Sequence, residues 1–381
     1  MSIKDKVAII GMGCTKFGEN WDKSADDMII DAAYEAFEDA GITPDAIDAA
    51  WVGTTTSGVA GSSLANPLKL KDIPITRVEN FCATGLDALR NAVYGVACGE
   101  FDIALALGFE KLKDYGGRGL PLARLHPTIT FGRTAPGMFS LPCARYFERY
   151  GASKETLAKI AVKNHKNGAL NPKAHFQREI TIEQVMKAPI IAWPLGLFDC
   201  CPTTDGAAAA IITRKELASK FNQDYALIKA ITLAVDSMYP ALRPEHDFLH
   251  WPATQAACRK AYEQVGITNP KKQLSLAEVH DCFTITELLI YEDMGLCEKG
   301  QAKEMVDAGV FEINGEIPVN PDGGLKSFGH PVGASGLRMV YEIYKQLQGK
   351  AGKRQLKNVE LGLAHNLGGP PQVCGVAIIG R

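Results

Sequence analysis

What narrows the fold most is an alternation of short apolar runs with helix-period segments, met twice in the same order. Val7–Gly11 reads as a strand. Ala25–Ala40 reads as a helix with Met28, Ile29, Ala32, Ala33, Ala36 and Phe37 on one face, closed by Gly41. Ala49–Gly53 is a second strand and Leu86–Cys98 a second helix. Ile103–Gly108 is a continuous apolar strand suited to a sheet covered on both faces. Asp205–Thr213 carries an Ala-rich run expected at the centre of a sheet. In the second half Ala226–Ala234 parallels Val7–Gly11, and Leu274–Val279 parallels Ala49–Gly53. A helix over Ala334–Leu347 and strands over Val359–Ala364 and Val373–Ile379 follow. The echo is of element order, not of residues. It predicts an α/β protein of two similar halves, 1–217 and 218–381.

Residues 111–193 interrupt this order. They are rich in Gly, Pro, Arg and aromatics, with one helical stretch near Ser153–Asn167. Such a length exceeds an ordinary loop and reads as an inserted subdomain. Its Arg118, Arg124, Arg133, Arg145 and His126 are either solvated or internally paired, or one arginine binds a substrate carboxylate.

The 41 basic and 43 acidic residues nearly cancel, and no block of like charge stands out, so neither nucleic acid nor an anionic membrane is expected as partner. No run approaches the ~18 apolar residues of a membrane span. No secretory signal opens the chain, and its ten cysteines sit mostly in apolar segments, which points to reduced thiols in the cytoplasm. No Cys-x-x-Cys pair occurs, adjacent Cys200 and Cys201 suit burial better than metal binding, and no zinc site is expected.

Chemistry concentrates in four places. Cys82, in Asn80-Phe81-Cys82-Ala83-Thr84-Gly85, stands before a helix, where backbone N–H groups and the helix dipole would lower a thiol pKa. His280 and Cys282 flank Asp281 at the end of a strand, where alternation would point both the same way. His330 is held between Gly329 and Pro331, a setting that fixes the chain beside it. His365-Asn366-Leu367-Gly368-Gly369 ends a strand with backbone N–H groups free to serve as oxyanion donors. The bland readings are a buried structural cysteine, an exposed histidine beside a core cysteine, surface decoration and a plain turn. Order and local context together favour a thiol nucleophile with proton-handling partners.

These motifs resemble the thiolase superfamily. His-Asp-Cys-Phe, where conventional thiolases have Asn-Glu-Ala-Phe, is similar to the sterol-carrier-protein-type and archaeal-type members. The resemblance implies two halves packed as α-β-α-β-α layers, dimeric assembly and no tightly bound cofactor, with coenzyme A as co-substrate. It implies Cys82 as acyl-accepting nucleophile and His330 as its activator. His280 and His330 would form an oxyanion hole for the thioester enolate, and the N–H groups of Cys82 and Gly368 a second hole. Conventional members carry a second catalytic cysteine in a Cys-x-Gly turn that here reads Asn366-Leu367-Gly368. Cys282 is its natural replacement, and Cys374 is read as core.

The activity implied is CoA-dependent cleavage of a 3-oxoacyl-CoA, or the reverse condensation, through an acyl-cysteine. The acyl substrate is acetoacetyl-CoA-like or benzoylsuccinyl-CoA. Alternatives are a condensing synthase, a thiolase-like retro-aldolase and a non-catalytic acyl-CoA-binding subunit. Relatives of this type also work with a small zinc-ribbon/OB-fold partner.

Overall fold

The computed structural model describes residues 3–115, 134–236, 243–369 and 371–381. Its strands are β1 Val7–Cys14, β2 Ala49–Gly53, β3 Ile75–Val78, β4 Ile103–Glu110, β5 Ile190–Ala192, β6 Leu195–Gly196, β7 Gly206–Arg214, β8 Ala226–Val235, β9 Leu276–Glu278, β10 Leu361–Gly368 and β11 Val373–Gly380. The longer helices are α1 Ala25–Ala40, α2 Thr84–Ala97, α3 Ala135–Tyr150, α4 Lys154–Ala169, α5 Pro252–Val265, α6 Thr284–Asp293 and α7 Ser335–Leu347. β5 and β6 form a small hairpin across the end of the insertion, and the other nine strands run in the order β3-β2-β4-β7-β1-β8-β11-β10-β9.

That order contains the repeat. In the first half β2 and β4 are parallel, and β4–β7 and β7–β1 are antiparallel. In the second half β9 and β10 are parallel, and β10–β11 and β11–β8 are antiparallel. The halves join where β1 meets β8 through Ala8–Leu227 and Ile9–Ala226. α1 covers the outer face of β1 and β7, and α5 that of β8 and β11. α2 and α7 touch each other and strands of both halves, so they form the middle of five layers, α-β-α-β-α.

Local chemistry explains the elements. Ser24 caps α1 in a reciprocal box with Asp27, and Gly41 ends it at φ +68°. β1 and β4 are buried along their whole length, as is β7 but for Arg214, because helices cover both faces. Alanines at 207–210 leave room for that cover.

The insertion departs from its expected form. It holds two helices of 16 residues, where one was expected. α3 was hidden by its prolines. Pro136 occupies the first turn, where no N–H is needed, and Pro142 sits inside the helix. Arg145 on α3 pairs with Glu148 at the surface, 2.6 Å away, whereas Arg118, Arg124, Arg133 and His126 lie outside the described residues. Among the described residues, no helix is long and apolar enough to cross a membrane.

Candidate active site

Three of the expected side chains meet at one point. The metal-capable atoms of Cys82, His280 and His330 all lie within 4.8 Å of one another. The two imidazoles are edge to face, with ring centroids 5.1 Å apart. Each arrives from a different element, and each is held by its own turn.

Cys82 stands on a tight turn between β3 and α2. Phe81 has φ +53°, a left-handed conformation that a bulky residue adopts only under constraint. The turn is tied by Asn80 N–H to Thr84 Oγ1 at 2.8 Å and by Asn80 Nδ2 to Asp87 at 2.6 Å. The residue keeps part of its surface, but its sulfur faces the buried imidazoles. That burial pushes the thiol up to about 12, against the N–H groups of Gly369 and Cys82 that favour the thiolate. The expected lowering by the helix end therefore does not win. α2 begins only at Thr84, and burial outweighs it.

His330 follows Gly329, whose φ of +117° suits glycine. Its Nδ1 lies 2.7 Å from Ser335 Oγ, and that hydroxyl donates to the Pro331 carbonyl at 3.0 Å. The hydroxyl has one hydrogen, so toward the ring it accepts. Nδ1 then carries the proton, and Nε2 is a bare lone pair, buried and without a partner among the described residues. Burial pushes His330 down to about 3, which keeps it neutral at rest.

His280 is set the other way. Asn366 Nδ2 donates to its Nδ1 at 3.2 Å, which leaves the proton on Nε2. Burial, then the neighbouring His330, hold its pKa well below the usual value. One imidazole is thus a proton acceptor and the other a neutral donor, both aimed at the sulfur's surroundings. Asn366 and Ser335 are functional residues that sequence reasoning missed.

Cys282 stands just outside this cluster. β9 stops at Glu278, so the coil after it, not strand alternation, positions His280 and Cys282. Cys282 is buried, and its Sγ lies 3.6 Å from Thr286 Oγ1. Burial, Cys201 and Cys82 in turn raise its thiol well above the ordinary value. Cys201 was also missed as a neighbour. Its N–H donates to the Cys282 carbonyl at 2.9 Å beside an antiparallel bridge between Cys200 and Phe283. This sets Cys201 opposite Cys282, and its thiol feels the charge of Cys82.

Gly368 lies against the backbone of the nucleophile. A Cβ there would stand 2.6 Å from Asn80 O, 2.9 Å from Ala83 N and 3.2 Å from Cys82 N. The N–H from this turn that acts on the thiol belongs to the next residue, Gly369. Cys374 is buried on β11, away from this group.

A thiol, a neutral acceptor imidazole and a neutral donor imidazole in one buried cluster are the parts that catalysis by a cysteine nucleophile requires. The family described as "Thiolase, N-terminal domain" matches residues 7–216, and "Thiolase C-terminal domain-like" matches residues 235–381. The chain is 39% identical to "Acetyl-CoA acetyltransferase" of Methanothermobacter thermautotrophicus, over 98% of this chain and 99% of that one. It is 35% identical to human "Sterol carrier protein 2", over 95% of this chain and 70% of that protein. Among solved structures, "Ltp2-ChsH2(DUF35) aldolase" superposes with a TM-score of 0.88 at 25% identity, covering 100% of this chain and 99% of that one. The Acat5 thiolase of Ascaris suum in complex with coenzyme A shares the fold, with a TM-score of 0.73 at 18% identity over 99% of this chain and all of that one. The chain belongs to the thiolase family. It is an acyltransferase that uses coenzyme A.

Proposed function

We propose that this chain cleaves a 3-oxoacyl-CoA by thiolysis, with Cys82 as the acyl carrier. One observation carries the reading: the Nε2 of His330, unpartnered among the described residues, in the same buried cluster as the Cys82 thiol. In the first step His330 Nε2 takes the thiol proton, and the Cys82 sulfur attacks the 3-keto carbon. The carbon–carbon bond then breaks. The shorter CoA thioester departs as an enolate, whose oxygen meets the Nε2–H of His280 and the newly protonated Nε2 of His330. Cys282 has a raised pKa and holds its proton at rest. It can therefore give that proton to the enolate carbon. Left as a thiolate, it takes the proton of incoming CoA, whose sulfur attacks the acyl group and frees Cys82. N–H groups beside Gly368, including that of Gly369, stabilise the tetrahedral oxyanion.

Cys82→Ala is expected to abolish CoA-dependent loss of acetoacetyl-CoA. Cys282→Ala should lower the rate by roughly 10²–10⁴-fold, the usual worth of a general acid–base. A full rate in the second variant would move that role elsewhere, with Cys201 the next thiol to test.

The superposition on an aldolase supports a second reading, retro-aldol cleavage. That reaction needs no acylated cysteine, so a radiolabelled acyl group trapped on Cys82 separates the two. The same neighbour's title names a DUF35 component. It supports a partner subunit for this chain. We take that partner to be a small zinc-ribbon/OB-fold protein and the chain itself to form a cytoplasmic catalytic dimer, each chain of two halves, 1–217 and 218–381. Among substrates, acetoacetyl-CoA and benzoylsuccinyl-CoA are the two to compare first, with and without the partner. Full activity and unchanged CoA affinity of the chain alone would remove the partner.

A further inference from the structure

A second constellation lies outside the acyl-transfer site, on the segment that leads into α5. His246, Asp247 and His250 bring their donor atoms within 4.8 Å of one another. The imidazole rings of His246 and His250 stand 5.3 Å apart at 61°. Phe248, between them, has φ +64°, which turns the chain so that residues 246 and 250 face each other. His250 Nδ1 meets Asp247 Oδ1 at 2.8 Å, and the Leu249 N–H donates to the same oxygen at 2.8 Å. Asp247 Oδ2 accepts nothing among the described residues.

His246 decides the matter. It is only 9% exposed, and its Nε2 has no hydrogen-bond partner among the described residues. A buried ring nitrogen left unpaired costs free energy unless something binds it. A histidine pair around a carboxylate on a polar surface loop would normally turn such an atom to water. Here it is enclosed, on a residue whose donor group lies within 4.8 Å of those of Asp247 and His250.

We propose that His246, Asp247 and His250 form a binding site for a first-row divalent metal ion, with zinc as the expected occupant. Imidazole and carboxylate donors suit zinc and its neighbours in the series. Ligand atoms on one tetrahedral zinc lie roughly 3.3 Å apart, so donor atoms already within 4.8 Å of one another need to shift by at most about 1.5 Å. Three protein donors leave a fourth position for water or an exogenous ligand. Cysteine spacing carries no sign of this site, because its donors contain no sulfur.

The experiment uses the full chain carrying Cys82→Ala, which removes the only thiol donor of the other cluster. Cobalt(II) is the probe, because a nitrogen–oxygen site shows visible ligand-field bands without a thiolate-to-metal charge-transfer band. The expected result is one equivalent of cobalt bound with such a spectrum, displaced by zinc. Adding His246→Gln or His250→Gln should weaken binding at least about tenfold, since even loss of a supporting partner costs that much. His250 is partly exposed, so its variant keeps the test valid if the buried His246→Gln chain does not fold. No cobalt bound to Cys82→Ala, or binding left unchanged by His250→Gln, overturns the proposal.

Discussion

At Nδ1, His280 meets a side-chain amide and His330 meets a hydroxyl, and these small differences divide the work of the site. A shared side-chain chemistry is split by the two partners at Nδ1. The thiol between them rests protonated. Cys82 is pushed up to about 12 and His330 down to about 3, so transfer of the proton between them is unfavourable until substrate arrives. A preformed thiolate–imidazolium pair would make alkylation of Cys82 level off near neutral pH. A neutral pair makes its rate follow the small thiolate fraction, which grows as pH rises toward the thiol pKa. The rate of iodoacetamide reaction at Cys82 should therefore climb about tenfold per pH unit between about pH 6 and pH 9, without a plateau. A plateau near pH 7 would mean that the enclosed sulfur is ionised at rest.

Elements meet around one arginine. Arg338 on α7 is fully buried, with Nη1 2.6 Å from Glu278 at the end of β9 and also bonded to Asp322, just before the turn that holds His330. Asp281 continues the tie, accepting the N–H groups of Leu325 at 2.6 Å and Lys326 at 3.0 Å. Arg338→Met would leave two buried carboxylates without their cation, a loss of about 3–5 kcal/mol by urea unfolding at neutral pH. Burial raises the pKa of Glu278 even with the arginine present. Without it the folded chain binds protons more tightly than the unfolded one, so the variant should recover stability as pH falls. An unchanged urea midpoint would show that the network contributes little. None of this was legible in the sequence, because Glu278, Asp322 and Arg338 come together only through the fold. The outer helix α1 and most strands of the large sheet were legible, since their apolar periods are clear, whereas the outer helix α5 and the four-residue strand β3, with its polar Thr76 and Arg77, went unread. α6 was not, because all ten of its residues are buried and it has no amphipathic period to read. Cys82, His280 and His330 were legible as chemistry. Their partners Asn366 and Ser335 were not, because a hydrogen bond across a pocket leaves no spacing in the chain.

Across the whole molecule, Cys82 belongs to the first half and both imidazoles to the second, so the proposed thiolysis depends on how closely the halves seat. Glycines set that distance. A Cβ on Gly108 of β4 would fall 2.0 Å from the carbonyl oxygen of Gly333, three residues after His330. One on Gly333 would fall 2.4 Å from Gly53 O, and one on Gly85 2.8 Å from Gly333 O. Real Cβ atoms do not approach backbone so closely, so a methyl group at Gly108 must push the His330 turn away from the first half. Gly108 sits within a regular strand pairing with Ala208, so the effect comes from contact, not from backbone conformation. A shift of about 1 Å at a reacting group can cost about 10²-fold in rate. Gly108→Ala is therefore expected to lower kcat/KM for thiolysis by about that factor. The iodoacetamide reaction at Cys82 should change far less, because the nucleophile's own turn lies on the same side as the added methyl. If thiolysis and alkylation fall together, the damage is to the first half itself. If both persist, the seating of His330 does not depend on this glycine contact.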